Sequence, residues 1–169
     1  ISSYKKYSWL NGIHLHVGSQ GCPIEMLVEG VKRVYDLAME INTLVGSQNL
    51  IKVFDMGGGL PVSYHFDAPS TDPRDYIDML STACPSLFDG TFSLVTEFGR
   101  YASANAGWTA SRVEYVKESK DRKTAIIHVG ADMLLRRCFL PDDWYFELSV
   151  FDHNGTLKKG SDPCPYTIA

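Results

Sequence analysis

Three short polar clusters in this 169-residue sequence carry the side chains that could do chemistry. They are His14 to Ser19, Asp55 to Gly59 and Glu97 to Arg100, and each ends an apolar run with the pattern of a β-strand. In parallel α/β folds the ligand site lies at the C-terminal ends of the strands, where loop amides and helix N-termini converge. We therefore expect the three clusters to meet in one site.

The glycines and the arginine of these clusters have the chemistry of a phosphate site. The turn Gly57 to Gly59 and the pair Gly99-Arg100 offer backbone N–H groups and a planar guanidinium fork to a small anion. A tight turn without a ligand accounts for the glycine triplet equally well. Both interpretations stay open on the residues alone.

His14 and His16 are two residues apart on a predicted strand, so their side chains share one face. The pair could hold a divalent metal, one ring could lie against a planar cofactor, or an inward-facing ring could simply be hydrogen-bonded. A metal needs further ligands, and no second histidine pair follows. We expect no metal site.

Glu97 ends an otherwise apolar strand, where a buried carboxylate is costly unless it has a partner. One interpretation is an ion pair with Arg100. The other is a carboxylate that accepts a hydrogen bond from a protonated ring nitrogen and so keeps a heterocycle electron-withdrawing.

The elements that must position these clusters alternate along the chain. Strands are predicted over Leu10 to Val17, Leu50 to Met56 and Phe92 to Glu97. A long amphipathic helix begins after Pro23, and a second begins at Asp72, which precedes a proline in the manner of a helix cap. Strand, helix, strand, helix, strand implies an α/β fold with a parallel sheet.

The pattern changes after Ala106. Two strand-like runs, Thr109 to Glu118 and Lys123 to Val129, flank a polar turn and predict an antiparallel hairpin, and the segment Asn154 to Pro165 is typical of a surface tail. Three strand–helix units cannot close an eight-stranded barrel, which needs about 250 residues. Either the sheet is open, or the chain is a piece of a larger protein.

Composition narrows the class of protein. A net charge of -4 without basic clusters argues against nucleic acid as a partner, and no apolar run approaches the roughly 20 residues of a membrane span. The four cysteines form no C-x-x-C pair, which favours reduced thiols, and the expected location is cytoplasmic, or a plastid or other organelle if a transit peptide precedes Ile1. The cysteines are Cys22, Cys84, Cys138 and Cys164.

Three motifs carry a resemblance to a known family. The strings GIHLHVGSQ (Gly12 to Gln20), FDMGGGLPV (Phe54 to Val62) and EFGRY (Glu97 to Tyr101) resemble, in order and spacing, the consecutive signature loops of the pyridoxal-phosphate (PLP) decarboxylases with the alanine-racemase-like barrel. The run Ser103 to Glu118 resembles the crossing into that family's β-domain, most closely in the diaminopimelate decarboxylase branch. The similarity covers roughly residues 8 to 136.

The resemblance implies a fold, an activity and partners. Residues 1–106 would be the last three β/α units of a TIM-type (β/α)8 barrel that binds PLP, and residues 107–169 the start of an antiparallel β-domain. The activity would be decarboxylation of diaminopimelate or another basic or diamino acid, in a homodimer with a shared active site. The Schiff-base lysine of the family lies before Ile1, so no catalytic residue is expected in this chain, and the family's interface cysteine would follow Ala169.

The resemblance also implies roles for single residues. His16 would stack on the pyridine ring, Glu97 would bind the ring nitrogen, and an arginine, Arg100, would contact both the phosphate and the substrate carboxylate. Arg136 would be a second substrate-binding arginine. The full set of cofactor-binding residues is His16, Ser19, Gly58, Gly59, Glu97, Gly99 and Arg100.

Some positions depart from the family pattern and leave the substrate open. Phe98 replaces a proline, His128 replaces an aspartate, and Arg137 to Leu140 does not match the diaminopimelate decarboxylase motif. Two alternatives therefore stand beside the decarboxylase. One is a non-catalytic homologue that binds a partner, and the other is a metal-dependent barrel hydrolase that uses His14 and His16.

Overall fold

The computed structural model describes residues 1–46, 50–65, 68, 70–120, 122–160 and 166–169. The chain divides into two compact units. The first comprises Ile1–Ser63 and Ala68–Ala106, and the second comprises Tyr64–Asp67 and Gly107–Ala169. The candidate site belongs to the first unit.

A three-stranded parallel sheet forms the centre of the first unit. Its strands are β1 (Gly12–His14), β2 (Val53–Asp55) and β3 (Ser93–Val95), in the order β1-β2-β3. The predicted α/β class and parallel pairing are confirmed. Each strand is shorter than predicted at both of its ends.

Two long helices cover the sheet. Helix α2 (Ile24–Val45) buries one face against it, as the apolar periodicity predicts, and ends before Gly46, whose φ of 66° suits glycine. Helix α3 (Pro73–Ala83) begins at Asp72, whose Oδ1 accepts a hydrogen bond from the N–H of Arg74 at 2.8 Å. Both predicted helix starts are confirmed.

The hydrophobic core lies between the sheet and these helices. Phe54 of β2 is fully buried, and its ring meets Phe92 edge-on with centroids 5.6 Å apart. Asn42 of α2 bonds both backbone groups of Ile51, at 2.7 Å and 3.3 Å, and fixes the entry into β2. The other core residues from the helices and the connecting 3₁₀ turn are Leu27, Val28, Val31, Tyr35, Ala38, Ile41, Tyr76, Leu80, Cys84 and Leu87.

Short helices complete the first unit. Helix α1 (Ser2–Lys6) is tied to the sheet by Tyr4, whose hydroxyl donates to the carbonyl oxygen of Gly12 at 2.7 Å. A 3₁₀ turn, Pro85–Leu87, precedes β3, and α4 (Gly99–Ser103) begins after a loop of three residues that follows β3. Neither α1 nor α4 has the length from which a sequence period can be detected.

The second unit contains a mixed sheet. Strands β4 (Val113–Ser119) and β5 (Arg122–Ile127) form the predicted antiparallel hairpin. Strand β6 (Tyr166–Ile168), which the sequence did not predict, pairs parallel with β5, so the sheet is not antiparallel throughout as expected. Helix α5 (Leu135–Phe139) lies between β5 and β6 in the sequence.

Two further expectations concern the tail and the cysteines. In the predicted surface tail, Leu157 makes an isolated bridge with Phe151, while residues 161–165 lie outside the described residues. Cys22, Cys84 and Cys138 are free thiols, and Cys164 lies outside the described part. Across the described ranges, no helix combines the length and apolar character needed to cross a membrane.

Candidate functional site

The loops that follow β1, β2 and β3 line one pocket. Backbone hydrogen bonds hold them together beyond the strands: Leu15 N–H donates to Asp55 O at 3.1 Å, Met56 N–H to Val95 O at 2.9 Å, and Glu97 N–H to Gly57 O at 2.8 Å. The pocket includes five of the predicted site residues. Its lining is His16, Ser19, Gln20, Gly59, Leu60, Glu97, Phe98, Arg100 and Tyr101.

The glycine triplet is required because the neighbouring loops touch its backbone. Gly57 and Gly59 have φ values of 67° and 99°, a region that disfavours residues with a Cβ. A Cβ on Gly59 would collide with the carbonyl oxygen of Gly18, and one on Gly58 would lie 2.7 Å from that of Glu97. The triplet therefore does more than turn the chain, since it lets three loops close around the pocket.

The His16 ring is oriented by the backbone of the second loop. The Gly58 N–H donates to His16 Nδ1 at 3.3 Å. Nδ1 is therefore the acceptor nitrogen, and the neutral ring carries its hydrogen on Nε2. Although Glu97 Oε2 lies 3.9 Å from the same Nδ1, the Gly58 bond already uses that lone pair.

Glu97 projects into the pocket with its side chain 51% exposed. The prediction that this carboxylate is buried is wrong, because β3 ends at Val95 and Glu97 belongs to the loop beyond it. Its Oε2 lies 3.6 Å from Nε2 of His14. The carboxylate is accessible to a ligand N–H from the pocket side.

Gln20 joins the first loop to the second, a role that the sequence did not reveal. Its Nε2 donates to the carbonyl oxygen of Val62 at 2.6 Å, and its Oε1 accepts the N–H of Val62 at 3.1 Å. Gln20, Phe98 and Tyr101 all lie inside the motifs that carry the family resemblance. Their presence in those motifs was the only sequence signal for them.

The side chains that could hold a metal ion include one member of the histidine pair. Within the described ranges, the residues that could hold an ion together are His14, Asp55 and Glu97, whose ligand atoms lie within 4.8 Å of one another. His16 is not in this group. One oxygen of Asp55 already accepts the Gly57 N–H at 2.9 Å.

The remaining predicted residues have different surroundings. The Gly99 N–H donates to the carbonyl oxygen of Glu97 at 2.7 Å, and outside its chain neighbours and its own helix backbone no atom of the described residues lies within 4 Å of the position that its Cβ would occupy. Arg136 belongs to the second unit, where its guanidinium lies 4.4 Å from the ring centroid of Trp144. In the same unit, His128 Nε2 lies 3.1 Å from Oε2 of Glu114.

The pocket combines an imidazole ring, a carboxylate, a guanidinium and a hydroxyl group, from His16, Glu97, Arg100 and Ser19. This donor set fits a planar heterocycle that has a basic ring nitrogen at one end and an anionic group at the other. The contacts at Gly58 and Gly59 leave no room for side chains at these positions, so the loops pack backbone against backbone around the pocket.

The sequence of this chain is similar to those of known proteins. The family model described as "Pyridoxal-dependent decarboxylase, pyridoxal binding domain" matches residues 8–104. The diaminopimelate decarboxylase of Pseudomonas aeruginosa is 33% identical over 125 residues, which cover 74% of this chain and 28% of that protein. That of Buchnera aphidicola is 30% identical over 140 residues, which cover 80% of this chain and 32% of that protein.

Solved structures are also similar. Diaminopimelate decarboxylase of Helicobacter pylori, complexed with L-lysine, gives a TM-score of 0.64 at 26% identity, covering 76% of this chain and 30% of that chain. A lysine/ornithine decarboxylase of Vibrio vulnificus, complexed with cadaverine, gives a TM-score of 0.72 at 22% identity, covering 94% of this chain and 40% of that chain. At this identity, the comparison shows a similar fold and nothing more.

This chain spans about 28 to 32% of the length of the curated relatives quoted above. The family model nevertheless matches more than half of this chain, including all three loops of the pocket. The predicted family is confirmed: the chain belongs to the pyridoxal-dependent decarboxylases and contains sequence of their pyridoxal-binding domain.

Proposed function

We propose that the full-length protein is a PLP-dependent carboxy-lyase acting on diaminopimelate or another basic or diamino acid. In this proposal, residues of this chain bind the cofactor. The observation that carries the proposal is the convergence of His16, Ser19, Gly59, Glu97 and Arg100 on one pocket. The similar diaminopimelate decarboxylases support the substrate class.

Bound PLP would supply an electron-withdrawing ring that accepts the electron pair left when carbon dioxide departs. His16 presents a ring whose orientation is fixed by Gly58, and we place its face against the cofactor ring. Glu97 accepts the hydrogen of the ring nitrogen and thereby favours the protonated ring. These two residues orient the ring and hold its proton.

The anionic end of the cofactor is assigned to the glycine loops. Ser19 offers a hydroxyl, Arg100 a guanidinium, and the backbone at Gly58, Gly59 and Gly99 can approach closely because no side chain intervenes. Arg100 also binds the substrate carboxylate in this proposal. A phosphate oxygen beside the Arg100 guanidinium gains a charge-assisted hydrogen bond.

The wider arrangement is a proposal of the same kind. Residues 1–106 are assigned to the last three β/α units of a (β/α)8 barrel and residues 107–169 to the start of the β-domain, with Arg136 as a second substrate-binding arginine. The parallel order β1-β2-β3 supports the barrel assignment. In a homodimer with a shared active site, the Schiff-base lysine and the interface cysteine would come from outside residues 1–169.

The test uses the full-length protein after purification with PLP. We expect visible absorbance that shifts on adding borohydride, and carbon dioxide release from meso-diaminopimelate, lysine, ornithine or arginine. A protein that stays colourless would contradict the proposal. A coloured protein that releases carbon dioxide from none of the four would favour a non-catalytic homologue.

A second candidate, a metal-dependent hydrolase, rests on the grouping of His14, Asp55 and Glu97. It predicts zinc near one equivalent by elemental analysis of the same preparation. It also predicts no visible absorbance, because zinc and PLP would compete for Glu97. Metal content well below one equivalent would exclude it.

A further inference from the structure

We infer that Gln20 is a positioning residue for the phosphate end of the cofactor, because it locks the two loops that carry Ser19 and Gly59. The inference rests on the proposed function. Gln20 need not touch the phosphate for this role. It acts by holding the backbone to which the phosphate contacts belong.

The side chain of Gln20 pairs with Val62 as a neighbouring strand would. One carboxamide satisfies both backbone groups of Val62, at 2.6 Å and 3.1 Å, across 42 positions of sequence. Val62 is 5% exposed, so water cannot readily replace a lost partner there. Removing the carboxamide should therefore displace the loop.

A second tie joins the same loops at the other end. His16 Nδ1 accepts the Gly58 N–H at 3.3 Å, again across 42 positions. The His16–Gly58 and Gln20–Val62 ties bracket Ser19 and Gly59, and the backbone of Gly18 packs directly against Gly59 between them. The spacing of the two phosphate contacts is thus set from both sides.

A merely structural clamp of the same kind exists elsewhere in the first unit. Asn42 bonds both backbone groups of Ile51 at the opposite end of β2, and neither residue lines the pocket. Both clamps are partly buried, and each consists of one carboxamide and one backbone residue. Asn42 therefore provides a matched control for stability effects.

The experiment compares cofactor affinities in the full-length apo-protein. Wild type, Q20M and N42L are titrated with PLP and with pyridoxal, which lacks the phosphate, and binding is followed by absorbance. We expect the affinity of Q20M for PLP to be at least tenfold lower than that of wild type. Its affinity for pyridoxal should stay within twofold of the wild-type value. N42L should lower the melting temperature and keep the wild-type ratio of the two affinities.

An independent measurement follows the apo-protein with inorganic phosphate. Phosphate should raise the melting temperature of wild type and N42L, and this rise should be lost in Q20M. If Q20M does not fold, Q20S, whose side chain is too short to reach Val62, replaces it and should show the same selective loss.

The outcomes separate the inference from the proposed function. Wild type that binds no PLP would contradict both. Wild type that binds PLP, combined with a glutamine variant that weakens PLP and pyridoxal equally or changes neither, overturns only the role of Gln20. A change in the affinity ratio in N42L would overturn it as well, since any loosened clamp would then have the same effect.

Discussion

Gly59 links the local backbone to the shape of the pocket. Its φ of 99° and the carbonyl oxygen of Gly18 beside it leave no room for a Cβ. By contrast, the position of a Cβ on Gly107 is open, and its φ is not in the left-handed region. The two glycines therefore differ in what a methyl group would cost.

The first prediction compares Gly59→Ala with Gly107→Ala. We expect Gly59→Ala to lower the free energy of unfolding by at least about 2 kcal/mol, because it combines backbone strain with a collision. Gly107→Ala should change it by less than about 0.5 kcal/mol, as surface changes usually do. Urea unfolding of both variants measures the difference, and equal effects would contradict the contact at Gly18.

Glu97 gives the second prediction, which depends on the proposed function. Glu97→Gln keeps the size of the side chain but removes the charge that favours a protonated ring nitrogen. We expect kcat of the full-length protein to fall by roughly 100-fold, the scale of losing one electrostatic group in an active site. The absorbance spectrum should also change, while PLP still binds. Wild-type kcat in this variant would remove Glu97 from the mechanism.

Tyr76 gives a pH dependence. Burial chiefly, with a smaller contribution from the nearby Cys84 thiol, raises the pKa of Tyr76 to about 12 from 10.0. The unfolded chain therefore loses this proton at lower pH than the folded chain, and stability falls as pH rises from 10 towards 12. The loss attributable to Tyr76 is roughly 2 to 3 kcal/mol.

Tyr76→Phe removes this titration but keeps the buried ring, so the variant serves as the reference. The difference in unfolding free energy between wild type and Tyr76→Phe should be constant below pH 9 and should shift against wild type above pH 10. Chemical denaturation at a series of pH values measures it. A constant difference up to pH 12 would show that Tyr76 titrates normally.

At the scale of elements, α3 depends on its first residue. Asp72 caps the helix through the Arg74 N–H, and Pro73 follows it. We expect Asp72→Ala to reduce the free energy of unfolding by about 1 kcal/mol. Asp78→Ala, an exposed change inside the same helix, should have little effect. Thermal unfolding of the two variants measures this, and equal melting temperatures would refute the cap.

The sequence predicted elements whose pattern is local. Helix α2 was predictable because its apolar residues repeat at every turn, and the start of α3 because Asp72 and Pro73 are adjacent. Strand β6 was missed, because three residues show no period and the residues of β5 with which it pairs lie 43 positions away. The Gln20–Val62 clamp was missed for the same reason, since no local pattern marks a contact across 42 residues.

The candidate site was predictable to a similar degree. Strand ends and the family motifs indicated His16, Ser19, Gly59, Glu97 and Arg100, and these residues do line one pocket. The exposure of Glu97 was not predictable, because it depends on β3 ending two residues earlier than its apolar pattern suggested. A local sequence pattern predicts the presence of a strand better than it predicts the residue at which the strand ends.

At the scale of the whole molecule, β3 forms an edge of the parallel sheet. Among the described residues, β3 pairs only with β2, and Val95 is 38% exposed. An apolar groove lies beside this edge, lined in part by Ile77, Phe88 and Leu94. An open strand edge with apolar neighbours is a template for pairing with another chain.

The 169-residue chain produced alone should therefore associate as its concentration rises. We expect Val95→Lys to reduce the association, because a lysine on an edge strand opposes pairing. Leu44→Lys makes a similar change at an exposed position of α2 and should not reduce it. Light scattering over a concentration series compares the three proteins. A monomeric wild-type chain at all concentrations would contradict this prediction.

The three pocket loops lie within one uninterrupted stretch of sequence, from His16 to Tyr101. No residue after Tyr101 lines the pocket as described, so all its lining residues have been synthesised once the ribosome has added Tyr101. At about 5 to 20 residues per second, this stretch is synthesised within roughly 20 seconds. Assembly of the pocket can therefore precede synthesis of residues 107–169, which form most of the second unit.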